Sequence, residues 1–572
     1  MRKSLLCLTV GAVLIAVSPG ARVGQGNAAT LPPVEAANGM VATAQHLATD
    51  VGVQVLKEGG NAVDAAVAVG YALAVVHPCC GNLGGGGFMT IHLSGKKDTF
   101  INFRERAPFA ATRDMYLDAH GNVVPGLSLY GYKAVGVPGS VLGLETALRE
   151  YGTMTRARVM APAIRLARDG FVLTPGDATL LATTTTYFAK QPNVASIFLN
   201  HGRPYRAGDR LVQRNLAQTL SLISSQGSDA FYRGTIANRI VAASRANGGL
   251  LTMRDLSSYG VEEEQPVSCS YRGYEVISAP PPSSGGTTLC EILNVLQGYP
   301  LARYGFHSAR SVHYSVEAMR HAYADRNTYL GDPDIVRNPL ARLLSTSYAA
   351  RIRSEIQPVK ATPSKDVAPG LGPAPHEGNT TTHYSIVDRH GNAVSVTYTI
   401  NNYFGATVIA GDTGFFLNDE MDDFTSKPGV PNLYGLVQGA ANAIAPGKRP
   451  LSSMSPTIVL KGGKVYMVIG SPGGSKIITI VLNVIQDVVD YGMNIQEAVD
   501  APRIHHQYLP DEVDYEPYAL SPDTITLLKA SGYTLLQLQP WGSAEGIVVD
   551  PMTGLLQGGT DSRAPAGSAA GY

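Results

Sequence analysis

Gly378-Asn379-Thr380-Thr381-Thr382-His383-Tyr384-Ser385-Ile386-Val387-Asp388 joins a segment dense in Pro, Gly and Ala (363–377) to a strand. The preceding segment has no apolar periodicity and reads as a loop. From Thr382 onward, apolar and polar residues run as a strand. A turn at His390-Gly391-Asn392 and a second run over 393–400 complete a β-hairpin. A threonine at the head of a strand, beside a pliable loop, is placed to attack the carbonyl before it. Its hydroxyl is a weak nucleophile unless a base takes the proton. If the bond between Thr380 and Thr381 breaks, Thr381 gains a free α-amine whose ordinary pKa is about 7.7–8.0. Nucleophile and base then sit on one residue. Standing alone, the same residues also fit a Thr-rich strand entry with no chemistry.

Outward from this point, the chain has 572 residues, 44% hydrophobic and 16% charged, with 45 basic and 45 acidic side chains and no net charge. That length holds a large core or several domains. With no long basic run, nothing points to nucleic acid or an anionic membrane as partner. Met1-Arg2-Lys3, an apolar run over 5–17 and Ser18-Pro19-Gly20 form a secretory signal of bacterial type. The run is shorter than the roughly 20 residues of a transmembrane helix, so no stable membrane insertion is expected. The leader is placed at 1–28, with Ala21 a second cleavage candidate, and export to a periplasm or beyond follows. Asn379-Thr380-Thr381 also matches an N-glycosylation acceptor, set aside because the leader is bacterial.

Cys7 leaves with the leader, so Cys79, Cys80, Cys269 and Cys290 remain. They read as structural, with one disulfide at most, and with no metal partner at ligand spacing. Helices are expected over 44–56 and 62–76, then strands over 88–92 and 99–103. Helical patterns dominate 138–248, 284–296 and 307–329. Beyond Thr381 come hairpins over 384–399, 457–469 and 547–556, with a helix over 476–491. By itself this pattern gives a mixed α and β protein.

Several motifs occur in a fixed order. They are Gly60-Asn61-Ala62-Val63-Asp64-Ala65-Ala66, His77-Pro78, Gly81-Asn82-Leu83-Gly84-Gly85-Gly86-Gly87-Phe88, Phe103-Arg104-Glu105 and Pro281-Pro282-Ser283-Ser284-Gly285-Gly286. After Thr381-Thr382-His383-Tyr384-Ser385 come Leu417-Asn418-Asp419-Glu420-Met421-Asp422-Asp423-Phe424, Arg449-Pro450-Leu451-Ser452-Ser453-Met454-Ser455-Pro456, Gly470-Ser471-Pro472-Gly473-Gly474 and the terminal Gly571-Tyr572. The ordered set resembles the γ-glutamyltransferases (γ-glutamyl transpeptidases) among the N-terminal-nucleophile hydrolases, over nearly the whole chain after the leader.

That resemblance implies an α+β fold, a four-layer αββα sandwich. It also implies a precursor that cuts itself before Thr381 into a large chain, 29–380, and a small chain, 381–572, which together form one domain. Thr381 would be the nucleophile, Thr399 its hydrogen-bond partner, and the Gly473 and Gly474 amides the oxyanion hole. Arg104, with Ser452 and Ser453, would hold the carboxylate of a γ-glutamyl group, and Asn401, Glu420 and Asp423 its ammonium. The stretch 428–448, carrying Tyr434, resembles a lid loop. The implied donors are glutathione and related γ-glutamyl compounds, and the acceptors water, amino acids or dipeptides. No metal or organic cofactor is needed.

Other readings of these motifs carry less. The Gly84–Gly87 and Ser471–Gly474 loops lack the G-K-[ST] or G-x-G-x-x-G patterns of phosphate binding. The acidic run 419–423 lacks EF-hand spacing. His505-His506 would point to opposite faces of a strand and His383 would pack near the site. A glutaryl or cephalosporin acylase on the same frame is the alternative activity, for which Glu420 and Asp423 discriminate. An inert exported binding protein would be expected to lack the nucleophile or oxyanion loop.

Overall fold

The computed structural model describes residues 30–367, 381–433 and 435–572. The leader, Thr380 and Tyr434 lie outside the described residues.

Two seven-stranded antiparallel sheets face one another. One runs Ser568–Gly571, Met40–Thr43, Thr381–Val387, Ala393–Thr399, Gly86–His92, Thr99–Phe103, Glu262–Glu264. The other runs Val34–Ala36, Leu556–Thr560, Glu545–Val549, Lys464–Gly470, Thr457–Lys461, Tyr274–Ser278, Val267–Tyr271. Met40, Ala42, Val387 and Ala393 of the first meet Ile458, Val468 and Ile547 of the second in a shared core. Helices cover both outer faces. On the first sheet's face, His46–Lys57 and Ala62–Val76 belong to one large apolar cluster. On the other, Gly285–Leu296, Ala309–Tyr329 and Ile477–Val489 belong to a second. The result is the four-layer αββα sandwich.

Local chemistry explains the elements nearest the site. The helix Ala62–Val76 opens on a capping box, Asn61 with Asp64, which satisfies backbone donors at its first turn. Every residue of this helix is buried, which accounts for its apolar character on all sides. It stops at His77-Pro78, since proline cannot continue the ladder. The Gly84–Gly87 run then lets backbones approach closely. A Cβ on Gly85 would lie 1.9 Å from the Thr399 carbonyl oxygen.

One expectation needs extension and another correction. Beyond the strands expected over 88–92 and 99–103, further strands precede Thr381, and each sheet mixes strands from before and after it. Short pieces such as Met40–Thr43 and the hairpin Val267–Ser278 are too brief or too irregular to declare themselves by alternation. The cysteines form two disulfides rather than one at most, Cys79–Cys80 and Cys269–Cys290, because folding sets a strand residue beside a helix residue 21 positions on.

Away from the site, Arg320 bridges distant parts of the chain. It reaches Asp511, Glu317 Oε1 at 3.3 Å and Ser364 Oγ at 2.5 Å. Asp511 also accepts from the Ser364 N–H at 2.8 Å, and Glu317 accepts from Tyr533 Oη at 2.9 Å.

Candidate active site

Thr381 begins the strand Thr381–Val387 and pairs with Thr399, the last residue of the partner strand. Pairing with Met40–Thr43 on the other side starts only at Tyr384, so the Thr381 end extends past that neighbour. The Thr381 hydroxyl donates to Thr399 Oγ1 across 3.4 Å, and Thr399 Oγ1 accepts from the Asn401 N–H at 2.8 Å. Asn401 turns the chain with a φ of 70°, and its side-chain amide donates to the Asp419 carbonyl at 3.1 Å.

A narrow pocket of about 20 Å³ brings Thr381, Thr399, Asn401, Arg104, Glu420, Asp423, Ser452, Ser453 and Gly474 together. Gly473 is one residue from its wall. Nine of the residues singled out from sequence thus converge on one space.

Gly473 and Gly474 take φ values of 145° and 56°, which a side chain would resist. This bend turns the strand Lys464–Gly470 into the helix Ile477–Val489, so the pocket faces the start of that helix. Helix starts present N–H groups and partial positive charge, the arrangement that stabilises a developing oxyanion.

Arg104 is fully buried, and its guanidinium is shared between Glu420 and Asp423, with Glu105 Oε2 at 3.4 Å. The residue expected to clamp a carboxylate and those expected to receive an ammonium therefore hold one another. Burial pushes Glu105 up to about 7 and Glu420 well above the usual carboxylate range, although Arg104 opposes both. The cluster has more carboxyl groups than cations. One oxygen each of Glu105 and Glu420 meets no N–H or hydroxyl donor.

Sequence reasoning missed Arg326. It is buried in the helix Ala309–Tyr329, lines the pocket, and donates to Ser284 Oγ at 2.8 Å and Ser453 Oγ at 2.9 Å. No period of that helix marks it, because charged and apolar residues there are buried alike. The 428–448 stretch covers the pocket with Asn432 and Leu436. Asn442 Nδ2 donates to the Asp423 carbonyl at 2.7 Å, and the Leu433 N–H to Asp422 at 2.9 Å, tying cover to floor.

His383 is buried between the sheets against Gly470 and bonded to Thr397 Oγ1 at 2.9 Å and Ser385 Oγ at 3.0 Å. Burial holds it neutral, down to about 3. His505 and His506 diverge as expected, to Thr479 at 2.7 Å and Asp511 at 3.4 Å.

Thr381 also lines a second, wider cavity of about 450 Å³, with His77, Cys80, Tyr403, Pro472, Ser543 and Arg563. The turn after Pro78 brings His77 Nε2 to 3.4 Å from Cys79 Sγ.

An αββα sandwich with a threonine heading a central strand, between a charged pocket and a glycine-rich helix start, defines the N-terminal-nucleophile hydrolase class. A solved structure agrees: cephalosporin acylase from Bacillus halodurans superposes with a TM-score of 0.82 at 30% identity, covering 96% of this chain and 99% of that one. The chain belongs to the gamma-glutamyltranspeptidase family, whose model matches residues 48–571. It is 56% identical to a glutathione hydrolase proenzyme of Pseudomonas sp. (strain A14) over 573 residues, covering 99% of each. It is 52% identical to that of Escherichia coli (strain K12) over 541 residues, covering 94% of this chain and 93% of the relative.

Proposed function

We propose that this chain is an exported precursor that cuts itself between Thr380 and Thr381 and then acts as a γ-glutamyl hydrolase and transferase. The leader 1–28 leaves, and the large chain 29–380 stays with the small chain 381–572. The freed α-amine of Thr381 takes the proton from its own hydroxyl, and Oγ1 attacks the γ-amide of glutathione or a related compound. Thr399 orients that hydroxyl. The Gly473 and Gly474 amides receive the oxyanion, and the amide collapses to a γ-glutamyl ester as the amine departs with a proton. Water or the amine of an amino acid or dipeptide then releases the acyl group. A closed 428–448 cover, with Tyr434, shields the ester from water and favours an amine. Replacing that cover with a short linker should raise the ratio of hydrolysis to transfer.

One observation carries this reading: the pocket floor holds Arg104 against Glu420 and Asp423, both signs of charge side by side. A γ-glutamyl head carries a carboxylate and an ammonium. Its carboxylate exchanges with the internal acids on Arg104, aided by Ser452 and Ser453. Its ammonium takes those acids, aided by Asn401. The exchange conserves ion pairs, so the desolvation cost of burying the charges is already met in the protein. A glutaryl group, lacking the ammonium, would leave the acids without a cation.

The test compares kcat/KM for γ-glutamyl and glutaryl p-nitroanilide. A preference for γ-glutamyl of at least about 100-fold is expected from leaving a buried charge unmatched. Comparable turnover of the glutaryl donor would instead make the chain an acylase on the same frame. Thr381→Ala should stay a single band on a denaturing gel; a clean cut in that variant would refute self-cleavage.

A further inference from the structure

Beside the candidate nucleophile lies a group of donor atoms that the proposed reaction does not use. The helix Ala62–Val76 ends at His77-Pro78, and Cys79-Cys80 follow at once. One ligand atom from each of His77, Cys79 and Cys80 lies within 4.8 Å of the others. Both cysteines are buried, and His77 and Cys80 line the wide cavity that also touches Thr381.

The backbone holds this cluster in place. The Gly81 N–H donates to the His77 carbonyl at 2.9 Å, Asn82 Nδ2 to the Cys80 carbonyl at 3.0 Å, and the Phe404 N–H to the Cys79 carbonyl at 2.9 Å. The imidazole and sulfurs are thus gathered by a turn that does not need them for its shape. In the structure the two sulfurs are joined. A bond between neighbours closes no loop, so the usual entropic benefit of a disulfide is absent. Cys269–Cys290, across 21 residues, has that benefit.

The geometry points to a redox-gated site for one soft metal cation, of the zinc, cadmium or copper(I) class, held by Cys79, Cys80 and His77. Opening it takes two molecules of a small thiol. The first thiolate attacks one sulfur of the Cys79–Cys80 bond and forms a mixed disulfide, releasing the other cysteine as a thiol. The second attacks that mixed disulfide, leaves as the small-molecule disulfide, and frees the remaining cysteine; the two thiol protons end on the cysteines. The cation then displaces both protons, and the His77 Nε2 lone pair completes a set of three ligands of the type soft cations prefer. The cavity gives a fourth ligand room to enter.

The experiment uses the full protein, reduced with excess thiol, desalted without oxygen and titrated with cadmium. Reduced protein should take up one cadmium per chain with a sulfur-to-cadmium absorption band, and oxidised protein none. The Cys79→Ser/Cys80→Ser variant, which keeps Cys269 and Cys290, should lose that uptake under the same treatment. His77→Gln should bind at least about 10-fold more weakly. No uptake by reduced protein, or full uptake by the double variant, overturns the proposal. Should the double variant not fold, thiol alkylation of the reduced wild type reads the same site by peptide mass. Cadmium should protect Cys79 and Cys80 from alkylation, and labelling that cadmium leaves unchanged overturns the proposal too. Metal uptake is read without turnover, so its failure leaves the γ-glutamyl reading standing, and the reverse also holds.

Discussion

Two buried arginines tie residues before Thr381 to residues after it, and they are finished differently. Arg320 sits among closed valences: Asp511 and Glu317 also accept from Ser364, Tyr533 and the Thr362 N–H, the last at 3.3 Å. Arg104 sits among open ones, with three carboxyl groups around one guanidinium and one oxygen each of Glu105 and Glu420 meeting no N–H or hydroxyl donor. A charge cluster built for stability satisfies itself. One built for a ligand leaves a deficit that the ligand's own charge fills.

This contrast can be broken by mutation. Arg104→Met should lower kcat/KM for a γ-glutamyl donor by at least about 1,000-fold, with Arg104→Lys recovering only a fraction because it lacks the planar fork. Steady-state kinetics on processed protein would check it, and a loss under tenfold would remove Arg104 from substrate binding. Arg320→Met should instead cost about 4 kcal/mol in denaturant unfolding, since Glu317 is left buried without its cation. Turnover of the folded variant should stay within about threefold. A catalytic loss matching that of Arg104→Met would erase the distinction.

Asp423→Asn should narrow the preference for γ-glutamyl over glutaryl p-nitroanilide by roughly 30-fold, or about 2 kcal/mol. If the ratio holds, Asp423 does not read the ammonium.

A last effect concerns pH. Burial, with Arg320 nearby, pushes His506 from 6.5 down to about 4. Its neutral form therefore contributes stability that is complete above pH 6.5 and lost as pH falls toward 4. His506→Gln should make that acid limb shallower by on the order of 3 kcal/mol. An unchanged slope between pH 6.5 and 4 would place the acid sensitivity elsewhere.

Much of this was legible beforehand, for reasons that differ by residue. The hairpin Thr381–Thr399 declares itself by alternation and a Gly391 turn, and the helix Ala62–Val76 by its cap and its proline stop. Arg104, Ser452 and Ser453 look like ordinary polar residues until the motif order is recognised, since chain positions this far apart carry no local signal. Arg326 stayed hidden because a helix buried on most sides loses the periodicity that sorts inside from outside. The pairing Cys269–Cys290 is a fact of tertiary approach, which spacing along the chain does not encode.

The alternation of strands within each sheet has a genetic consequence. Met40–Thr43 lies between Ser568–Gly571 and Thr381–Val387, and the Asn38 N–H donates to the Tyr572 carbonyl at 2.7 Å. A cut before Thr381 would leave two chains, each missing the neighbours of its own strands, so separating them would amount to unfolding both. Halves from different precursors would then never trade places. In a cell making both wild-type and Thr381→Ala precursors, activity should follow the wild-type dose in a straight line, with no hybrids for the inactive copy to poison.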